Sequence, residues 1–156
     1  PFPWWLLLLA LLALLIWRMR EETPERREKR LKSPDAVLML YWQALLETRA
    51  ARGEGILSHE TPMGYAARIS AGDAALLRMA AAQSALVYGH KSPEPGVLLI
   101  AWECYAAAWR RLPWHQKAAL SLRRALRPVI MAVKNTPGRM LRAVKTRIRR
   151  KRRKTA

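Results

Sequence analysis

The opening seventeen residues, PFPWWLLLLALLALLIW, carry no ionisable side chain, and no other feature restricts the possible folds as strongly. A stretch that is apolar on every face has no polar side to offer water, so it suits lipid better than the surface of a small domain. As a helix rising about 1.5 Å per residue it would reach roughly 26 Å, against a hydrocarbon core of about 30 Å. Trp4 and Trp5 stand at one end and Trp17 at the other, where aromatic belts form. Arg18 and Arg20 come immediately after, with Arg26, Arg27, Lys29, Arg30 and Lys32 close behind, so the positive-inside rule directs the C-terminal side of the helix to the cytoplasm. A signal peptide would carry its charge before the apolar run and a small-residue cleavage site after it, and this stretch has neither. The expectation is a transmembrane helix over residues 1–17, a single pass through the cell membrane. The chain opens on Pro1 rather than Met, so a longer parent protein is expected as well.

Charge divides the remainder. Residues 1–103 hold 12 Lys and Arg against 11 Asp and Glu, whereas residues 104–156 hold 17 Lys and Arg and no acid, so the net charge of +18 belongs to the C-terminal part. Such a segment condenses on polyanions, and the attraction falls with salt. The single Cys104 excludes an intrachain disulfide framework and a multi-cysteine zinc site.

Between these ends the pattern is helical. Residues 18–32 form a charged connector of mixed sign, expected to extend the first helix out of the membrane. A domain over 33–113 comes next. Ser33 is placed as N-cap with Pro34 at the first helical position, and Val37, Leu40, Tyr41, Ala44 and Leu45 fall on one face. A short helix is expected from Pro62, with Tyr65, Ala66 and Ile69 inward. A third is capped by Asp73 and buries Leu76, Leu77, Ala80 and Leu86 before Gly89; a fourth runs from Val97 to Leu112 with Ile100, Ala101, Tyr105, Ala108 and Trp109 as its stripe. No window alternates with period two, so the fold class is all-α.

The stretch ILSHETPMGYAARIS, residues 56–70, is where chemistry has to be tested. A zinc-protease helix needs a second His four residues after the first, and that position is Met63. His90 and His115 stand at no ligand spacing. Cys104 lies in an apolar helix, where a free Cys behaves as a small hydrophobe. Glu60, Thr61 and Pro62 read instead as a helix start: Thr61 as N-cap, Pro62 at the first helical position, Glu60 near the positive end of the dipole. No catalytic residue, cofactor or metal site is expected.

Val37, Tyr41 and Leu45, then Glu60-Thr61-Pro62 with Tyr65-Ala66 and Arg68, then Tyr88-Gly89, resemble the small cytoplasmic domain of unknown function (DUF4129-like) that ends many bacterial transglutaminase-like membrane proteins. The resemblance covers residues 34–112. It implies a membrane bundle and an external transglutaminase-like domain upstream, with any Cys, His and Asp catalytic group there. Members commonly have Glu three residues after the Thr, completing a capping box; here that residue is Gly64, so half of the box is missing.

Residues 114–156 read as a basic helical tail. Leu120, Leu122, Leu126, Val129, Ile130 and Val133 suggest one helix, bent near Pro128. Thr136-Pro137 can start another, with Met140, Leu141, Val144 and Ile148 on one face. Arg139, Arg142, Lys145, Arg147, Arg149, Arg150, Lys151, Arg152, Arg153 and Lys154 then form the candidate contact with anionic lipid headgroups. Contact with another protein, or with upstream domains of the same protein, is a further possibility. Nucleic acid is the rival polyanion, but residues 115–156 contain no Trp, Tyr or Phe to stack on bases. The function expected is that of a non-catalytic, membrane-anchored interaction or regulatory module; the alternative is a membrane-tethered nucleic-acid binder.

Overall fold

The computed structural model of the chain describes residues 3–69, 72–128 and 130–131, and these are all-α: among the described residues there is no strand. The helices are α1 (Trp4–Glu21), α2 (Pro24–Glu28), α3 (Pro34–Ala50), α4 (Pro62–Ile69), α5 (Ala74–Gly89), α6 (Pro95–Arg110) and α7 (114–128), with residues 130–131 also helical.

The core is built around α3. Val37, Leu38, Leu40, Tyr41, Trp42, Ala44, Leu45 and Thr48 are all buried, more than one stripe can supply, because helices cover α3 on several sides. Its main partner is α6, through Ala101, Tyr105 and Ala108, while α5 contributes Leu76, Met79 and Ala80. Aromatic edges and tilted rings close the seams: Trp42 meets Tyr65 at 6.1 Å between centroids, and Tyr105 lies 6.0 Å from both Tyr41 and Trp109. A fully buried Leu such as Leu38 or Leu45 contributes about 1.5–3 kcal/mol of transfer free energy. The Thr48 hydroxyl, buried among these groups, donates to the Ala44 carbonyl at 2.6 Å and is thus not left unsatisfied.

Local signals place several helix ends. Asp73 caps α5 by accepting from the Ala75 and Leu76 amides at 3.1 and 3.3 Å. Gly53, at φ +80°, turns the chain out of α3, a conformation that a side chain would strain. Gly89 remains helical, and it is His90 that takes the left-handed conformation after α5, at φ 50°. Ser33 occupies the N-cap position of α3, but its hydroxyl makes no capping bond. The fourth expected helix begins earlier than Val97, at Pro95, whose missing N–H costs nothing in a first turn.

Three differences concern the ends of the chain. The connector is not a continuous extension of the first helix: Pro24 opens a new helix after a break at Glu22 and Thr23, since the ring cannot follow in mid-helix. No helix among the described residues is long and apolar enough to cross a membrane. The expected span over 1–17 therefore falls short in α1, whose charge-free run from Trp4 to Trp17 is about 21 Å at roughly 1.5 Å per residue, before Arg18, Arg20 and Glu21 close the same helix. Finally, α7, the start of the expected basic helical tail, is packed on the domain through Arg124, which reaches Glu47 in α3 and lies over Tyr105 and Trp109 in α6. It buries Leu120 and Ala125 and leaves Leu122 and Leu126 exposed, as is Ile130 beyond it. The helix expected from Thr136 and all ten basic residues from Arg139 to Lys154 lie outside the described residues.

Candidate functional site

Glu60, Thr61 and Pro62 come together at the start of α4, and the helix-start reading has a direct geometric counterpart. The Thr61 hydroxyl accepts from the Gly64 amide at 3.1 Å, and the Thr61 carbonyl accepts the first helical bond from Tyr65 at 2.9 Å. The return half of a capping box is absent because Gly64 has no side chain. A Cβ there would lie 3.3 Å from the Thr61 hydroxyl oxygen and 3.6 Å from Glu60 Cγ, a tight fit.

Glu60 is engaged away from the helix axis. Its carboxylate accepts from Arg68 Nε at 2.7 Å and from the same guanidinium's terminal nitrogen at 2.8 Å, and also from the Leu57 amide at 3.0 Å. Arg68 reaches on to the Gly55 carbonyl at 2.9 Å and lies over the Tyr65 ring at 5.6 Å, while the Tyr65 hydroxyl donates to the Glu54 carbonyl at 3.0 Å. The result is a clasp that fastens the loop between α3 and α4 onto α4. The Arg68 hydrogen bonds hold the Glu60 carboxyl well below its ordinary value of 4.5, at about 2; partial burial opposes this and the Leu57 amide adds to it. Arg68 and Tyr65 belong to the resemblance, but the pairing of Arg68 with Glu60 is not evident in the sequence, because the two stand eight residues apart, one just before α4 and one near its end.

Nucleophilic chemistry finds little support at Cys104. Burial pushes its thiol up to about 11, which keeps it protonated and inert. His59 lies in the loop before α4, His90 ends α5 and His115 sits in the first turn of α7, and among the described residues no cluster of His, Cys, Asp or Glu could hold a metal ion.

The second feature is a groove of about 450 Å³ between α2, α3 and α7. Arg27, Arg30, Arg124 and Arg127 line it together with Glu22 and Glu47, over apolar surface from Leu31, Leu40 and Ala44. Arg124 is the fixed member, with its side chain only 10% exposed. It donates to Glu47 at 2.9 Å and more weakly to the Ala44 carbonyl at 3.4 Å, and its guanidinium lies 5.9 and 5.5 Å from the Tyr105 and Trp109 ring centres. Arg27, Arg30 and Arg127 are 47%, 63% and 58% exposed and only partly engaged: Arg127 lies 3.5 Å from Glu47, Arg27 lies 4.0 Å from Glu22, and Arg30 pairs with Glu21. Below the rim, Tyr41 donates to Glu28 at 2.5 Å, tying α2 to α3; burial, and then this bond to a carboxylate, drive the phenol far above its ordinary value. Sequence reading does not single out Arg124 or Glu47, which are separated by 77 residues. The one available signal is Glu47, the single acid in the last turns of α3 and so a ready partner for the acid-free segment.

Comparison with family models, with curated proteins and with solved structures gives no match for this chain. The described residues define a class: an all-α domain joined to an apolar helix that it does not cover.

Proposed function

We propose that the chain is a non-catalytic, membrane-anchored interaction module, the cytoplasmic C-terminal part of a transglutaminase-like membrane protein. In this reading α1 enters the bilayer and the basic residues from Arg139 to Lys154 meet anionic headgroups. The observation that carries it is the state of α1. Among the described residues nothing buries any part of that helix, and Leu6 to Leu9, Leu11, Leu12 and Leu14 are each 46–68% exposed. So much apolar surface on one element is costly in water and marks a site of membrane or partner contact. The charge-free run of α1 is about 9 Å shorter than a hydrocarbon core of about 30 Å, a mismatch that local bilayer thinning and the reach of Arg18 and Arg20 to the headgroups reduce. The Thr61 cap and the Glu60–Arg68 clasp give the motif residues of the resemblance one shared structural task, and the inert Cys104 agrees with a non-catalytic role.

Vesicle flotation of the full chain is the test. The chain is expected to float with phosphatidylcholine vesicles and to resist carbonate extraction. Leu9→Lys with Leu12→Lys should abolish this, since each charge at a helix centre costs about 2.5–3.5 kcal/mol. A native chain that stays in the aqueous fraction would sink the proposal.

A further inference from the structure

The groove between α2, α3 and α7 has a charge pattern that the fold itself does not need. Arg124 holds α7 against α3 and α6, whereas Arg27 and Arg127 flank the opening half-exposed with carboxylates no nearer than 4.0 and 3.5 Å, and Arg30, exposed at the rim, is paired with Glu21. Four guanidinium groups face two carboxylates, Glu22 and Glu47, so the lining has a surplus of two positive charges. Arginine is the side chain that binds phosphate oxygens bidentately, and two loosely engaged arginines, Arg27 and Arg127, at one cleft suit a tetrahedral anion of charge −1 or −2. The apolar surface of Leu31, Leu40 and Ala44 suits the carbon skeleton attached to it.

We propose that this groove binds a phosphate ester, the headgroup of an anionic phospholipid being its source. The choice of source rests on the reading of α1 as membrane-inserted. Glu22 and Pro24, at the groove wall, begin five residues beyond Trp17, which along a helix is about 7.5 Å. The headgroup layer is of similar depth, roughly 5–8 Å on each side of the hydrocarbon core. A chain anchored by α1 thus carries the opening of the groove at the level of the lipid phosphates. Glu21 would be repelled there, but Arg26 and Arg30 pair with it.

The test titrates the full chain, in non-ionic detergent, with dihexanoyl phosphatidic acid and separately with inorganic phosphate, read by calorimetry. The lipid is expected to bind saturably at one site per chain, and Arg27→Gln with Arg127→Gln to weaken it by about tenfold or more, the scale of losing charge-assisted hydrogen bonds. Neutralising Arg149, Arg150, Arg152 and Arg153 to Gln removes headgroup contact by the basic end of the chain, and in that background the loss caused by Arg27→Gln with Arg127→Gln should remain. Equal affinity for inorganic phosphate, with the same loss in the double variant, would keep the site and assign it to free phosphate. An affinity insensitive to Arg27 and Arg127, or sensitive only to the tail, overturns the proposal. Circular dichroism of the double variant checks that the fold is kept, and Arg30→Gln alone, on a more exposed side chain, is the second variant. Insertion of α1 is scored separately by flotation on pure phosphatidylcholine, where Arg27 and Arg127 have no part. Failed flotation with intact phosphate binding sinks only the α1 reading, and intact flotation with groove-independent binding sinks only the groove.

Discussion

α1 and α3 are helices of 18 and 17 residues, both rich in Leu, and they meet opposite fates: α3 has eight buried residues and α1 none. The more apolar of the two is the one left uncovered. Burial within a domain requires complementary faces on neighbouring elements, and α3 has them because α5 presents Leu76, Met79 and Ala80 and α6 presents Ala101, Tyr105 and Ala108 to the shared core. α1 is apolar all round from Trp4 to Trp17, so no single neighbour could satisfy it. Hydrophobicity alone decides that a segment leaves water; the shape of what faces it decides where it goes.

Paired truncations put that contrast at risk. Leu45→Ala in α3 should cost about 2–5 kcal/mol by urea unfolding, the range for a fully buried Leu whose cavity cannot collapse. Leu9→Ala in α1 should leave the same transition in place, and a comparable loss there would mean that α1 packs on the bundle after all. A smaller effect concerns α7. Arg124→Ala removes the bond to Glu47 and the cover over Tyr105 and Trp109, an expected loss of about 2 kcal/mol, whereas Arg127→Ala, at 58% exposure, should change stability little. Equal losses would show that α7 is held by net charge rather than by the Arg124 geometry.

The smallest effect is at the clasp and depends on pH. The folded-state carboxyl of Glu60 titrates near 2 and its ordinary value is 4.5, so its stabilising contribution is complete above about 4.5 and is lost as pH falls toward 2. The difference in Tm between the native chain and Glu60→Gln should accordingly be present at neutral pH, shrink through that window and diminish with added salt. A difference that is constant with pH would mean that the Arg68 pairing contributes nothing.

How much of this is legible in the sequence depends on the range of each interaction. The Asp73 cap, the Thr61-Pro62 start and the inward Tyr65 and Ala66 rest on spacings of a few residues, and such patterns survive in one dimension. The break at Pro24 is also local; the run of mixed charge obscures it, although a ring without an N–H is enough to end the helix. Of the apolar residues that suggest the tail helix, Leu120 is buried but Leu122 and Leu126 are not; Arg124 and Ala125, which the apolar pattern does not mark, are turned inward with it. The groove cannot be read there at all, since its arginines come from segments almost a hundred residues apart.

What the sequence by itself determined is the set of elements and their chemistry: helices throughout, an apolar first segment, a basic end, and a helix start where an active site had to be considered. Only the tertiary structure decided which charges meet. Helix formation is governed by neighbours along the chain, whereas the pairing of Glu47 with Arg124, at 2.9 Å, and the reach of Arg68 across the loop to the Gly55 carbonyl, at 2.9 Å, depend on which surfaces the fold brings together.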